Sequence, residues 1–230
     1  MQGKPTLSQI YDPVVAVLTG DIVQSRRHDG AAVDAAMECI GASTVLLSDM
    51  ANGDCRFTRF RGDGWQIVLR TAKLALRAPL LVIADLRAAD LGIETRISVG
   101  IGRWTSLGSH DLSDASGTAF AVSGHHLDDM PRHRRLVIAG GRADESDGVS
   151  DRDWQAAVFD LAEWISARWS QPQAEAMSLA LRFEAQTHEQ LADRLGITRQ
   201  AMQSRLTGAG HRAFENALAV FEQKDWALPT

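Results

Sequence analysis

The sequence predicts an α+β protein in two parts, a mixed α/β part followed by an all-α part. Short β-branched runs typical of strands occur only before residue 140. Residues 140–150 are rich in Gly, Ser and Asp, as linkers are. Downstream, apolar residues recur at helical spacing. We therefore expect one domain over residues 1–142 and a second over residues 151–230.

Composition favours a globular protein that is not generally basic. The hydrophobic fraction of 45% is ample for a packed core, and the net charge of -5 excludes a protein that coats nucleic acid through overall positive charge. A local DNA-reading face is compatible with that charge. Cys39 and Cys55 match no metal or disulfide spacing. With no run of signal-peptide type and none near the roughly 20 apolar residues of a membrane span, we expect a cytoplasmic protein that does not bind membranes.

The α/β part follows a regular order of elements. A buried strand over Pro13–Leu18 ends in a turn at Thr19–Asp21. A helix over Gly30–Met50 is followed by a hairpin, whose two apolar runs flank Gly62–Gly64. The remaining predicted elements are the helix Thr71–Asp90, the strand Glu94–Ile101, the helix Thr118–Met130 and the strand Arg135–Ala139.

Two aspartates stand at positions where chemistry is expected. Asp21 follows the first strand and Asp63 lies at the hairpin tip. If these strands are neighbours, both carboxylates project from one edge of the sheet. Magnesium prefers oxygen ligands and binds through few carboxylates plus phosphate, so the pair could hold it against a triphosphate. The alternative is that the Gly-Asp-Gly tip is only a hairpin turn.

The motif Thr19-Gly-Asp-Ile-Val-Gln-Ser25, followed by Arg61-Gly-Asp-Gly-Trp65, resembles class III nucleotide cyclases and their GGDEF and polymerase-palm relatives. A closer resemblance is to the SatD family, which pairs these motifs with a C-terminal helix-turn-helix. That resemblance extends to Arg96–Gly102 and Ser116–Phe120. It implies a ferredoxin-like palm domain of nucleotide-cyclase type, followed by an all-α helix-turn-helix domain.

The resemblance also implies residue roles. Asp21 and Asp63 fall on the metal-binding aspartates, Ile22 would lend a backbone carbonyl, and Arg59 falls where many cyclases select the base. Apart from the resemblance, Arg26 and Arg27 after the first strand are candidate phosphate ligands, with a solvated helix start as the equal alternative. Active cyclases also carry an asparagine and an arginine, four residues apart, on the helix that here spans residues 120–130. That pair is missing, and the polar candidates are Ser123, His125 and His126.

The C-terminal part contains the pattern of a helix-turn-helix over residues 187–206. Thr187 and Gln190 form a capping box, and Gly196 falls where the turn needs a positive φ. Thr198 caps a second helix with Ala201, Met202 and Leu206 inward. Residues suited to reading base edges and phosphates remain outside: Thr198, Arg199, Gln200, Gln203, Ser204 and Arg205. The alternative is a helical hairpin that only packs or dimerises.

These observations predict a transcriptional regulator that binds double-stranded DNA and carries a nucleotide- and magnesium-binding palm. One alternative is an active nucleotidyl cyclase or oligonucleotide synthase with a helix-turn-helix attached. A second is a palm that serves only as a dimerisation scaffold. We expect a homodimer, because palms of the cyclase kind complete their site between two subunits and paired recognition helices read two half-sites. Nucleotide bound in the palm would then change DNA affinity.

Overall fold

The computed structural model describes residues 14–51, 53, 55–60, 62–108, 111–140, 151–182 and 186–226. Within them the expected α+β class is confirmed, with one five-stranded sheet and eight α-helices. Most of the predicted linker, residues 141–150, lies outside the described residues. The strands are β1 (Val14–Ile22), β2 (Arg56–Arg59), β3 (Gly64–Leu69), β4 (Thr95–Arg103) and β5 (Leu136–Gly140). The helices are α1 (Gly30–Met50), α2 (Arg77–Ala88), α3 (Thr118–Asp128), α4 (Asp151–Ser166), α5 (Gln171–Arg182), α6 (His188–Leu195), α7 (Arg199–Gly208) and α8 (His211–Gln223).

The sheet has the strand order β2-β3-β1-β4-β5. The pairs β2-β3, β3-β1 and β1-β4 are antiparallel, and β5 is parallel to β4. In this order β3 lies between β1 and β2, and β1 lies between β3 and β4, so each βαβ crossover spans an intervening strand. Two such interleaved crossovers define the ferredoxin-like arrangement.

The first strand is longer than the sequence predicts. The expected turn at Thr19–Asp21 is wrong, because β1 continues to Ile22. Asp21 pairs with Gly64 of β3 on one side and with Arg96 of β4 on the other. A strand that is paired on both sides remains extended through polar residues, and the end of the apolar run therefore does not mark its end.

Both faces of the sheet are covered. On the first face, residues such as Leu18, Ile67 and Val99 pack against α1 and α2. The same hydrophobic cluster continues through α5 into α8, where Phe221 is fully buried. On the second face, a smaller cluster that includes Val17 packs against α3 and the segment that precedes it. The α/β part and the C-terminal helices thus share one core.

One described helix, α1, is long and apolar enough by length and composition to cross a membrane, contrary to the sequence-based expectation. Core helices of globular folds pass the same test. Its buried residues, among them Val33, Met37, Ile40 and Leu47, belong to the cluster shared with the sheet. In this structure α1 is therefore a packed layer of the fold.

A buried carboxylate joins three helices. Asp85 of α2 is 6% exposed. It accepts hydrogen bonds of 2.6 Å from the Ser43 hydroxyl of α1 and from the Ser178 hydroxyl and the Arg182 guanidinium of α5. Burial raises the pKa of the neighbouring Cys39 thiol to about 11, and the Asp85 charge acts in the same direction. The negative charge thus lies in a low-dielectric layer where its hydrogen bonds are strong.

We expect Asp85→Asn to lower the free energy of unfolding by about 3 kcal/mol, because the amide cannot satisfy three donors and leaves Arg182 without its counter-ion. Urea unfolding followed by circular dichroism measures this. Asp49→Asn removes an exposed carboxylate from α1 and should change stability by less than about 0.5 kcal/mol. Equal stability of the two variants would contradict the role assigned to Asp85.

Candidate nucleotide and DNA sites

The structure brings the two predicted metal-binding aspartates together where β1 ends and β3 begins. We call this end of the strands the aspartate edge. Asp21 lies near the end of β1 and Asp63 lies in the turn that precedes β3. The backbone N–H of Ile22 donates to the carbonyl oxygen of Asp63 over 3.1 Å. Asp21 is paired directly with Gly64. The inference that these strands are neighbours is therefore correct.

Each carboxylate already has a partner within the chain. Arg96 of β4 donates from Nε to Asp21 Oδ1 over 2.9 Å, and its Nη2 contacts Oδ2. The hydroxyl of Ser25 donates to Asp63. The hydrogen bond with Asp21 raises the pKa of Arg96 above its usual value, and the charges of Asp128 and Asp63 act in the same direction. Arg96 is thus a fixed cation among three carboxylates.

Behind this edge, polar side chains form a row across the second face. Gln66 Nε2 donates to Thr19 Oγ1 over 2.9 Å, and Thr19 Oγ1 is 2.8 Å from the Ser123 hydroxyl. Ser98 is opposite Thr19 in the register and is fully buried, and its Oγ has no hydrogen-bond partner among the described residues. Ser123 is also fully buried. Its hydroxyl therefore connects α3 to β1. A hydroxyl that binds a ligand would instead be open to solvent.

The other polar candidates on α3 lie at its surface. His125 and His126 are exposed, and His126 Nδ1 is 3.1 Å from the carbonyl oxygen of Val122. Asp128 is the α3 residue whose charge reaches Arg96. Sequence reasoning missed both Arg96 and Asp128 as site residues. The available signal was Arg96 itself, a charged residue directly before the uncharged run Ile97–Gly102 of the same strand.

The two predicted nucleotide-binding arginines are placed differently. Arg26 is exposed in the short 3-10 turn Ser25–Arg27, next to the serine that contacts Asp63. Arg59 forms an ion pair of 2.7 Å with Asp34 of α1. Arg59 is paired with Trp65, whose side chain lies in the core on the α1 face, the face opposite the Asp21 carboxylate. The structure therefore does not bring Arg59 to the aspartate pair.

The donor set at this edge suits magnesium only together with a ligand. Asp21 and Asp63 supply carboxylate oxygens, the ligand type that magnesium prefers, and phosphate oxygens would complete the shell. Across the part of the chain that the structure describes, no group of three or more His, Cys, Asp or Glu side chains could hold a metal ion alone. The fit further requires Arg96 to release Asp21.

The local geometry predicted for α6 and α7 is present. Thr187 and Gln190 form the capping box, and Gly196 has φ 63° at the end of α6. Thr198 Oγ1 accepts from the N–H of Ala201 and caps α7. Met202 is fully buried, so that face of α7 packs inward on the shared core. The helices α6 and α7 contact each other, and α5 packs against both.

The predicted DNA-contacting residues divide into two groups. Thr198 is exposed at the start of α7, and Arg199, Gln200, Gln203 and Ser204 are exposed along it. Arg205 is half-buried and forms an ion pair of 2.9 Å with Glu175 of α5. Its guanidinium therefore holds α7 against α5. The helical spacing alone placed Arg205 on the outer side and could not indicate Glu175.

Comparisons with known proteins add little beyond the fold. No family model and no curated protein matches the chain. Among solved structures, the chain is similar to the crystal structure of the guanylyl cyclase Cya2, at 13% sequence identity and a TM-score of 0.32. The alignment covers 60% of this chain and 87% of that one. At this identity and score, the likeness says nothing about activity.

The edge depends on close packing at Gly20. A Cβ atom there would lie 2.4 Å from the Trp65 ring and 2.6 Å from the Arg96 carbonyl oxygen. We expect Gly20→Ala to destabilise the fold by about 1–3 kcal/mol through overpacking. Gly124→Ala in α3 is the matched control, since its Cβ would meet nothing within 4 Å; it should be neutral or stabilising by up to about 1 kcal/mol. Thermal unfolding of both variants tests this, and a harmless Gly20→Ala would contradict the packing.

Proposed function

We propose that this protein is a DNA-binding regulator whose α/β part binds a nucleoside triphosphate with magnesium. The observation that carries the proposal is the nearness of Asp21 and Asp63 at one sheet edge, where Arg96 of the neighbouring strand β4 donates to Asp21. The second element is α7, which presents polar side chains to solvent from a helix anchored on a packed face. The resemblance of the sequence motifs to cyclase-type palms and to the SatD family supports both elements.

The nucleotide half of the proposal rests on an exchange of partners. Asp21 and Asp63 would hold the metal, which in turn neutralises phosphate charge. Arg96 would then turn from Asp21 to a phosphate oxygen, because a guanidinium binds phosphate as readily as it binds a carboxylate. The carboxylates of Asp21, Asp63 and Asp128 outnumber the single Arg96 guanidinium, so this edge has a negative net charge and repels a bare triphosphate. Binding should therefore require the metal.

Binding without efficient turnover is the state that these residues favour. The helix α3 contains no arginine that could reach the edge. Of its polar residues, Ser123 is buried and His126 is exposed. Arg96 comes from β4 and is committed to Asp21 until a ligand arrives. Release of pyrophosphate by the purified protein would instead favour the enzyme alternative, with Arg96 as the group that stabilises phosphate charge.

We expect Asp21→Asn and Asp63→Asn each to weaken magnesium-dependent binding of triphosphate at least about tenfold, because a carboxylate ligand is lost. Equilibrium titration of a fluorescent triphosphate with and without magnesium measures the effect. Without magnesium, Asp21→Asn should bind no more weakly than the parent, since it frees Arg96. Arg96→Gln should weaken binding in both conditions.

Asp49→Asn, an exposed carboxylate on α1, serves as the control in this titration and should behave as the parent does. A parent protein that binds no triphosphate, or aspartate variants that keep the full magnesium effect, would refute the nucleotide half of the proposal. Circular dichroism of each variant confirms that the fold persists.

The DNA half of the proposal rests on the surface of α7. Four neighbouring residues at its exposed side, Arg199, Gln200, Gln203 and Ser204, carry the donors and acceptors that read base edges in the major groove. Arg205 would act differently, as a residue that fixes α7 on α5 through Glu175. A recognition helix needs such a rigid support, because base contacts depend on its orientation.

We expect the double variant Arg199→Ala, Gln200→Ala to lose about 1–3 kcal/mol of DNA binding per base contact, with unchanged thermal stability. Duplexes selected by the parent from a random pool provide the probe for gel-shift titrations against salt. Arg132→Ala removes an exposed arginine from the α/β part and controls for net charge. Equal binding by parent and double variant would remove α7 from the DNA site.

The same selection tests the proposed homodimer. Two recognition helices related by a twofold axis select a palindromic sequence, with half-sites about one helical turn apart. A monomer selects one short, asymmetric site. Adding triphosphate and magnesium to the gel-shift titration measures coupling between the sites, which typically amounts to about 1–3 kcal/mol.

A further inference from the structure

A second cleft lies away from the aspartate edge, where the α/β part meets α4. It has a volume of about 440 Å³ and is lined by the end of α2, the start of β4 and the end of α4. Clefts that bind small molecules fall in the same range of volumes. Leu86 and Ile93, both more than nine-tenths buried, give it an apolar wall, with Ile83 beside them. Nothing in the proposed function uses this cleft.

The polar side of the cleft holds a carboxylate between two guanidiniums. Arg87 of α2 and Arg135, just before β5, both line it. Glu94 lies between them, with Oε1 3.4 Å from Arg87 Nη2 and Oε2 3.1 Å from Arg135 Nε. The side chain of Glu94 is 52% exposed, and the longer contact is weak for a charge-assisted bond. Glu94 thus occupies, through weak contacts, a position between two guanidiniums that suits an anion.

The backbone around the cleft is also unusual. Among the described residues, two that are not glycine have a positive φ, Gln24 at 52° and Asp90 at 51°. Both line this cleft. The left-handed backbone of Asp90 is the common way for a helix to end, because Asp90 follows the C-cap of α2. Gln24 is the unusual position, since left-handed backbone at such a residue costs free energy and concentrates at ligand-binding and active sites.

We propose that this cleft binds a small organic carboxylate with an apolar body. The ligand carboxylate takes the place of Glu94 between Arg87 and Arg135, since planar guanidiniums bind carboxylates in a defined geometry. The apolar body lies on Leu86 and Ile93. Released Glu94 turns to solvent, where its charge is hydrated.

Ligand in this cleft would contact the wall shared with the aspartate edge. The N–H of Val23 donates to the carbonyl oxygen of Glu94 over 2.8 Å, and Thr95 Oγ1 donates to the carbonyl oxygen of Asp21 over 2.7 Å. Across the cleft, Ser166 and Ala167 belong to the end of α4 and the turn after it. The site therefore bridges the nucleotide edge and the helical part.

Naphthoate is a suitable probe, because it is a fluorescent carboxylate on a flat apolar ring, and naphthamide is its neutral counterpart. We expect the parent to bind one naphthoate, and naphthamide to bind at least about tenfold more weakly. Fluorescence anisotropy up to millimolar probe measures both. Glu94→Gln should bind naphthoate about tenfold more tightly, because it removes the internal competitor. Arg135→Gln should bind it about tenfold more weakly, because the ligand carboxylate loses one of its two guanidiniums.

Arg132→Gln is the matched control, since it removes an exposed arginine outside the lining and should leave affinity unchanged. Ala167→Trp places a bulky side chain at the exposed rim and should abolish binding. A gain of affinity in Glu94→Gln cannot arise from unfolding, so it separates the ligand site from a stability effect. The proposal is overturned if the parent fails to bind naphthoate, or if Glu94→Gln and Arg135→Gln both bind as the parent does.

Discussion

The buried carboxylate of Asp85 is the constraint on which the arrangement of this molecule depends. A charge in the interior is tolerated only when donors surround it, and here the donors come from α1 and α5. A shift of α1 would remove the Ser43 hydroxyl from that charge, and a shift of α5 would remove the Ser178 hydroxyl and the Arg182 counter-ion. Because Glu175 of α5 holds Arg205, the position of α5 in turn sets the orientation of α7. A polar contact in the core thus determines how a surface helix is presented.

The end of β1 shows how one short segment serves two faces of a sheet. Gly20 and Ile22 face the core, where the missing side chain of Gly20 leaves room for Trp65. Thr19 and Asp21 face the other way, toward Gln66 and Arg96. This strict alternation explains why the polar residues lie together, although they come from three strands. The same pleat separates Arg59 from the aspartates.

Much of the fold is encoded locally and could be read from the sequence. The helix Gly30–Met50 and the Gly-Asp-Gly hairpin follow from apolar spacing and turn residues, and both are confirmed. The nearness of Asp21 and Asp63 follows once their strands are taken as neighbours. The partner of Asp21 could not be predicted, because Arg96 is 75 residues away and meets it through strand register. Arg205 shows the same limit, since its partner lies on another helix.

Arg77, at the start of α2, has consequences for how the chain is made. Its guanidinium donates to the carbonyl oxygen of Leu181 and pairs with Glu222, 145 residues further along. Phe221 and Trp226 close the same core. While the ribosome is still synthesising the later helices, α2 lacks its packing partner α5, and the segment before α2 lacks α8, so apolar surface on that side of the α/β part is uncovered. Folding of this protein must therefore be completed after residue 226 has emerged, and the nascent α/β part is the species that chaperones would shield.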